Sequence, residues 1–188
     1  RSRRWPVDRA RTCEAAFKAH LHRTFELDQP ATGETVGAEV SPYGFALDVQ
    51  YPKASADTLI PAAVAAQDAW RRAGREAWIG VSLEILARLN RASFEIAYSV
   101  MHTTGQAFMM AFQAGGPHAQ DRALEAIAYA WHELRRVPTE AHWEKPQGKN
   151  PPLAMKKHYA IAPRGLGLVL GCCTFPTWNG YPGLFADL

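Results

Sequence analysis

The chain has 188 residues, 47% of them apolar and 11% aromatic, enough for a packed core and against wholesale disorder. Its 21 basic and 18 acidic side chains give a net charge of +3, too balanced for the basic face of a nucleic-acid binder. No run approaches the ~18 apolar residues of a membrane span, and the N-terminal arginines are not followed by the apolar core of a signal peptide. The only basic cluster is Arg1, Arg3, Arg4, Arg9 and Arg11, which reads as a solvated terminus. Cys13, Cys172 and Cys173 are an odd set with one vicinal pair, which offers no disulfide framework and fits a reducing cytoplasm.

In chain order, residues 11–23 are expected as a short helix with Cys13, Phe17 and Leu21 on one side. Residues 36–51 hold the turn signal Ser41-Pro42-Tyr43-Gly44 between two strand-like runs, a hairpin that Pro52 ends. A helix follows with Ile60, Ala63, Val64 and Trp70 on its inward face. Pro61 is tolerated only near a helix start, which places the N-cap at Asp57 or Thr58. One long helix is expected from Arg75 to His102. Val81, Ile85, Leu89, Ile96 and Val100 form one of its faces, Leu83, Leu86 and Phe94 a second, and Gly105 is placed to cap it.

A short helix from Gln106 to Ala114 is expected to stop at Gly115-Gly116-Pro117. The next, from His118 to Arg136, turns Leu124, Ile127, Ala128, Trp131 and Leu134 inward. Pro138 to Pro152 reads as a polar connector. Two strands should follow, Leu153 to Ala162 and Leu166 to Gly171, separated by Pro163-Arg164-Gly165. The second is fully apolar between glycines, as in a parallel sheet covered on both faces, so the fold class is α/β.

Several residue sets invite a chemical reading. Gly165, Gly167 and Gly171 nearly spell a dinucleotide fingerprint, but they lie before and within the strand, which favours close packing. His20 and His22 stand two apart and would face away from each other on a helix, so no metal site is expected. Met101, Met109 and Met110 with Phe108 and Phe112 make a soft apolar patch suited to core packing. Cys172-Cys173 would need a base, a cation or a helix N-terminus to lower a thiol pKa, and small side chains in a tight turn are the plainer reading.

The stretch Pro163-Arg164-Gly165, the strand, and Cys173-Thr174-Phe175-Pro176 resemble the aldehyde dehydrogenase superfamily. Ala66 to Trp70, Ile85-Leu86, Glu95-Ile96-Ala97 and Gly105 add to the likeness in the helical middle. More narrowly, "FELDQP", "GAEVSPYGFAL", "VMHTTGQAFMMAFQAGGPHAQDRALEA" and "CTFPTWNGYPGLFA" resemble the phenylacetic acid degradation protein PaaN type, from about Ala15 onward. The resemblance implies a helical N-terminal region and the first strands of a Rossmann-like cofactor domain, incomplete. Residues 1–35 would be a helical extension and 36–188 the incomplete NAD(P)-binding domain.

It further implies oxidation of an aldehyde to an acid with NAD or NADP, in aromatic breakdown. The substrate would be a small semialdehyde, including one carried as a coenzyme A thioester, and the whole protein a homo-oligomer, with neither nucleic acid nor membrane as partner. By the same resemblance Thr174 stands where the family's oxyanion-holding asparagine stands. Asn179 is its rival, and Gly171, Cys172, Cys173 and Thr174 line the nicotinamide side of the cofactor cleft. A nucleophile and a general base are missing, so the chain reads as the front of a dehydrogenase, inactive alone. The alternative is a shortened, non-catalytic assembly or interaction module, with Leu153 to Ala162 in subunit contacts.

Overall fold

The computed structural model describes residues 7–162 and 164–188. Arg1, Arg3 and Arg4 of the basic cluster, and Pro163 of the turn before the last expected strand, lie outside the described residues. The first helix, α1 (Val7–Lys18), ends earlier than expected. Its Phe17 is buried with Leu47 and Val49, while Leu21, beyond the helix end, packs against the edge of that cluster.

The expected hairpin forms. β1 (Thr35–Val36) pairs antiparallel with β2 (Tyr51–Pro52), and Val40 bridges Ala46 nearer the turn. The turn closes through the Gly44 N–H, which donates to Ser41 O at 2.9 Å, with Gly44 at φ 92°, a backbone that glycine adopts without a side-chain clash.

The helix α2 (Ala56–Ala73) starts earlier than expected, with Ser55 as N-cap in place of Asp57 or Thr58. Thr58 accounts for the early start, because its Oγ1 accepts the Ser55 N–H at 3.2 Å. Pro61 therefore lies inside the helix. The inward face expected for α2 is instead open to solvent, with Ile60 52% and Val64 51% exposed, and only Trp70 tucked in.

The long helix expected over residues 75–102 is two helices. α3 (Arg75–Arg91) and α4 (Ser93–Thr104) meet at Ala92, whose φ of −92° and ψ of 7° break the α geometry. Trp78, Ser82 and Leu86 are the buried face of α3, while Val81 and Leu83 are exposed. Gly105 caps α4 as expected, in the left-handed region with its N–H donating to Met101 O at 3.0 Å.

The glycines and proline at 115–117 do not stop the next helix. α5 (Phe108–Gln113) runs through a π turn (Ala114–His118) directly into α6 (Ala119–Leu134). The π hydrogen-bond pattern tolerates Pro117, which lacks an N–H, and the turn is buried at Ala114, Gly115 and Gly116. Ala119, Gln120, Ala123 and Ile127 are the buried face of α6, so the expected inward face is offset, with Leu124 exposed. In the Met/Phe patch, Phe112 stacks on Phe94 and Phe108 tilts against Tyr98, each pair 4.6 Å apart between ring centres. Met109 and Met110 are exposed instead.

The expected connector at 138–152 is mostly strand. β3 (Glu140–Gln147) and β4 (Asn150–His158) form an antiparallel arm turning at Gly148, exposed almost end to end. Pro146, Pro151 and Pro152 fit because each strand of a two-stranded ribbon is an edge strand. Residues 166–171 have no hydrogen-bonded strand partner among the described residues, so the expected parallel sheet does not form there. Leu168 and Leu170 are 82% and 83% exposed. A strand is held by its neighbours' backbone groups, and here only one face is covered, by the last helix, α7 (Pro176–Asp187). The class is mixed α/β, with only small, incomplete sheets. No helix among the described residues is long and apolar enough to cross a membrane.

Candidate functional site

α7 begins with Pro176 at its first position, where a missing N–H costs nothing. Phe185 anchors it at 2% exposure against Leu86, Ala123 and Ile127. Beside this anchor, burial pushes the Tyr181 hydroxyl up to about 12. At its start, Thr177 Oγ1 donates to Gly115 O of the π turn at 3.0 Å. At its end, the Trp70 indole N–H donates to Leu188 O at 3.1 Å. The helix is thus fastened at both ends and the middle, which fixes the turn before it, residues 172–175.

Against α7 lies the extended segment 166–171. A Cβ added to Gly183 would sit 2.9 Å from Val169 Cγ1, and one on Gly167 would run into the Asp187 carboxylate. At either position an added side chain would force its neighbour to shift. These contacts support close packing as the reason for glycine at 167 over a phosphate-binding fingerprint.

The turn collects three of the sequence-predicted residues. Asn179 Nδ2 donates to Cys172 Sγ and to Phe175 O, both at 3.1 Å. The backbone N–H of Phe175 holds the Cys172 thiol below the ordinary thiol range, helped by the Thr174 backbone and hydroxyl and opposed by slight burial. Cys172, Thr174 and Asn179 therefore form one cluster at the head of α7. Gly171 and Cys173 are exposed on the same turn.

One contributor escaped the sequence reading. The Gln106 side-chain amide donates to Thr174 O, tying the turn to the junction between α4 and α5. Gln106 is itself held, since Tyr43 Oη donates to its carbonyl at 3.0 Å. The hairpin turn is anchored in turn: Ser41 is buried and its Oγ lies 3.0 Å from His102 Nδ1. The signal for Gln106 was its place directly after the left-handed Gly105, where the chain leaves α4 towards the turn.

His102 stacks on Phe17 at 4.9 Å and meets the edges of Phe45 and Tyr43. Burial in this aromatic cage lowers its pKa below the ordinary histidine value, with the Glu14 carboxylate opposing. His20 and His22 turn to separate carboxylates, Glu95 at 2.8 Å and Asp48 at 2.9 Å. Among the described residues no group of three or more His, Cys, Asp and Glu is arranged to hold a metal ion.

An apolar groove of about 810 Å³ lies at the C-terminal end of α7, between α2, α3, α6 and residues 165–169, with Trp70, Trp78 and Leu184 in its lining. It does not include the Cys172 turn.

No family model matches the chain, and no curated protein does. Among solved structures, a crystal structure of an NAD-dependent aldehyde dehydrogenase from Burkholderia multivorans is 80% identical over 96% of this chain, with a TM-score of 0.91. The chain spans only 32% of that protein's length. So high an identity along so similar a trace supports the aldehyde dehydrogenase superfamily. The chain carries the α/β fold of about a third of an aldehyde dehydrogenase.

Proposed function

We propose that the chain is part of an NAD(P)-dependent aldehyde dehydrogenase that oxidises a small semialdehyde to an acid in phenylacetate breakdown. The observation that carries this reading is the 80% identity to an enzyme described as NAD-dependent. The substrate is a ring-opened semialdehyde, including one borne on a coenzyme A thioester, and the setting is the cytoplasm. In this reading the chain divides into an N-terminal extension, residues 1–35, and the incomplete cofactor domain, residues 36–188.

In this reading the exposed turn Gly171–Thr174 lines one wall of the nicotinamide site. Gly171 leaves backbone bare and Thr174 offers a hydroxyl, which suits a flat ring, while the pyrophosphate would be held elsewhere. The cofactor, when bound, accepts a hydride. This chain's own contribution is to hold the oxygen that becomes negative when the aldehyde is attacked. Thr174 through its O–H and Asn179 through its amide are the two donors at hand. Asn179 is the longer donor, and its amide already reaches across the turn to Cys172 Sγ.

The 188-residue chain by itself has negligible activity, because no nucleophile and base are paired on this turn. The experiment compares it with the same chain extended by whatever reading frame flanks it in the source DNA. Formation of reduced nicotinamide on addition of aldehyde should be confined to the extended protein. Turnover by the 188-residue chain above a boiled control overturns its inactivity. An extended protein inert towards every aldehyde tried overturns the dehydrogenase reading.

A second reading, an assembly module, is favoured by the β3–β4 arm, which is exposed along both strands. The arm would add its free edges to a second copy and make the whole protein a homo-oligomer. Replacing residues 140–158 by a short glycine-serine loop should then turn a defined oligomer into a monomer on a sizing column.

A further inference from the structure

The proposed role of the turn as a wall of the nicotinamide site gives no chemical step to the Cys172-Cys173 pair, and neither thiol is placed as the nucleophile of aldehyde oxidation. Both side chains are exposed to solvent. They are chemically unequal despite being adjacent. Cys172 Sγ receives the Asn179 amide at 3.1 Å and faces the Phe175 and Thr174 backbone N–H groups and the Thr174 hydroxyl. A ring of donors around one sulfur favours its anion. Cys173, one residue on, is a second exposed thiol, next in the chain to anything bonded to the first.

We propose that Cys172 and Cys173 are a thiol–disulfide exchange site, in which Cys172 attacks a low-molecular-weight disulfide of the glutathione type and Cys173 resolves the product.

In the first step the Cys172 thiolate attacks one sulfur of the small disulfide. A Cys172–S–S–R bond forms, the R–S–S–R bond breaks, and one thiolate leaves, taking up a proton from solvent. In the second step the Cys173 thiol loses its proton to solvent and its sulfur attacks Cys172 Sγ. The mixed disulfide breaks and a second small thiol leaves. In sum the two cysteines are oxidised by two electrons and one small disulfide is reduced to two thiols. Adjacent Cα atoms across a trans peptide stand about 3.8 Å apart, below the usual ~4.4–6.8 Å of a disulfide. The vicinal bond is therefore strained and easily reduced again, which makes the mark reversible.

Modification also changes the turn. Once Cys172 Sγ is bonded to another sulfur it is a poorer acceptor, and the Asn179 amide keeps only Phe175 O. The exchange chemistry does not depend on the dehydrogenase reading, and it is tested without any aldehyde.

The test incubates the chain, Cys172→Ser and Cys173→Ser with oxidised glutathione near neutral pH and maps the products by peptide mass spectrometry. Cys173→Ser should gather one glutathione on Cys172, several-fold faster than Cys172→Ser gathers one on Cys173. With the released glutathione thiol continuously removed, the unaltered chain should pass through that adduct to a peptide two hydrogens lighter, with no glutathione retained. In concentrated urea the rate difference between the two variants should vanish, because the donor ring is lost. Equal rates in the folded chain, a difference that survives urea, or an adduct that never resolves would each overturn the proposal.

Discussion

Replacing Gly115 by alanine puts a methyl group into the seam between the π turn and the last helix. The added Cβ would lie 3.2 Å from Thr177 Oγ1 and 3.5 Å from Val100 Cγ2. The second distance is an ordinary contact, so the strain falls on Thr177. That hydroxyl also donates to Gly115 O at 3.0 Å, and α7 must step back by a few tenths of an ångström to keep clear. Overpacking costs about 1–3 kcal/mol, and weakening the hydrogen bond adds about 1 kcal/mol. Alanine returns about 1 kcal/mol through its helical preference over glycine. The net is a destabilisation of about 2 kcal/mol, read as a lower urea midpoint at unchanged slope. Thr177→Ala alone should cost about 1 kcal/mol. In that background the methyl meets only Val100, so Gly115→Ala should be neutral or slightly stabilising. A double-mutant cycle should then give about 2 kcal/mol of coupling between the two positions. If Gly115→Ala is equally costly with and without the threonine hydroxyl, the contact at the seam is not what excludes a side chain.

Three further outcomes follow from particular groups. His102 has a folded pKa below the unfolded value of about 6.5, so the unfolded chain takes up the proton first as pH falls. Stability should drop as pH falls below about 6.5, level off below the folded pKa, and lose this dependence in His102→Gln, as urea midpoints from pH 8 to 5 would read it. Arg75 Nη1 donates to Leu134 O at 2.9 Å and Val137 O at 2.8 Å, closing the C-terminus of α6. Arg75→Met should cost about 2 kcal/mol, given about 1.5–3 kcal/mol for hydrogen bonds from a charged donor, and thermal unfolding would show the loss. The Phe175 N–H, with the Thr174 groups, keeps the Cys172 thiol low. Thr174→Val should therefore move the pH profile of Cys172 alkylation to higher pH and leave that of Cys13 in place.

What was legible in the sequence was what neighbouring residues decide. Ser41-Pro42-Tyr43-Gly44 carries its own turn chemistry, and the structure folds it as such. Gly105 ends α4 because a left-handed cap needs only that one residue. The helix start at Ser55 was missed because the Thr58 hydroxyl outweighs the proline five residues beyond α2's first position. Gly115-Gly116-Pro117 reads as a stop in any local account, and only burial between α4, α6 and α7 makes it a π turn. The expected strand at 166–171 needed partners that pattern cannot supply. At the site, counting along the chain brought Thr174 and Asn179 forward as rivals. Thr174 reaches the Cys172 sulfur through the turn itself, whereas Asn179 comes to the same sulfur only once the first turn of α7 is wound.

The π turn between α5 and α6 also acts as a phase setting. An α-helix advances about 100° per residue, at 3.6 residues per turn. A π turn takes in one residue more than an α turn, so everything after it is rotated by about that angle. Gln120, Ala123 and Ile127 point inward only with that extra residue counted. Deleting Gly116 would leave a smoother helix with a better local sequence. The price would be a quarter-turn of α6, carrying Ile127 out from beneath Phe185 and the head of α7 out of register with the turn it holds.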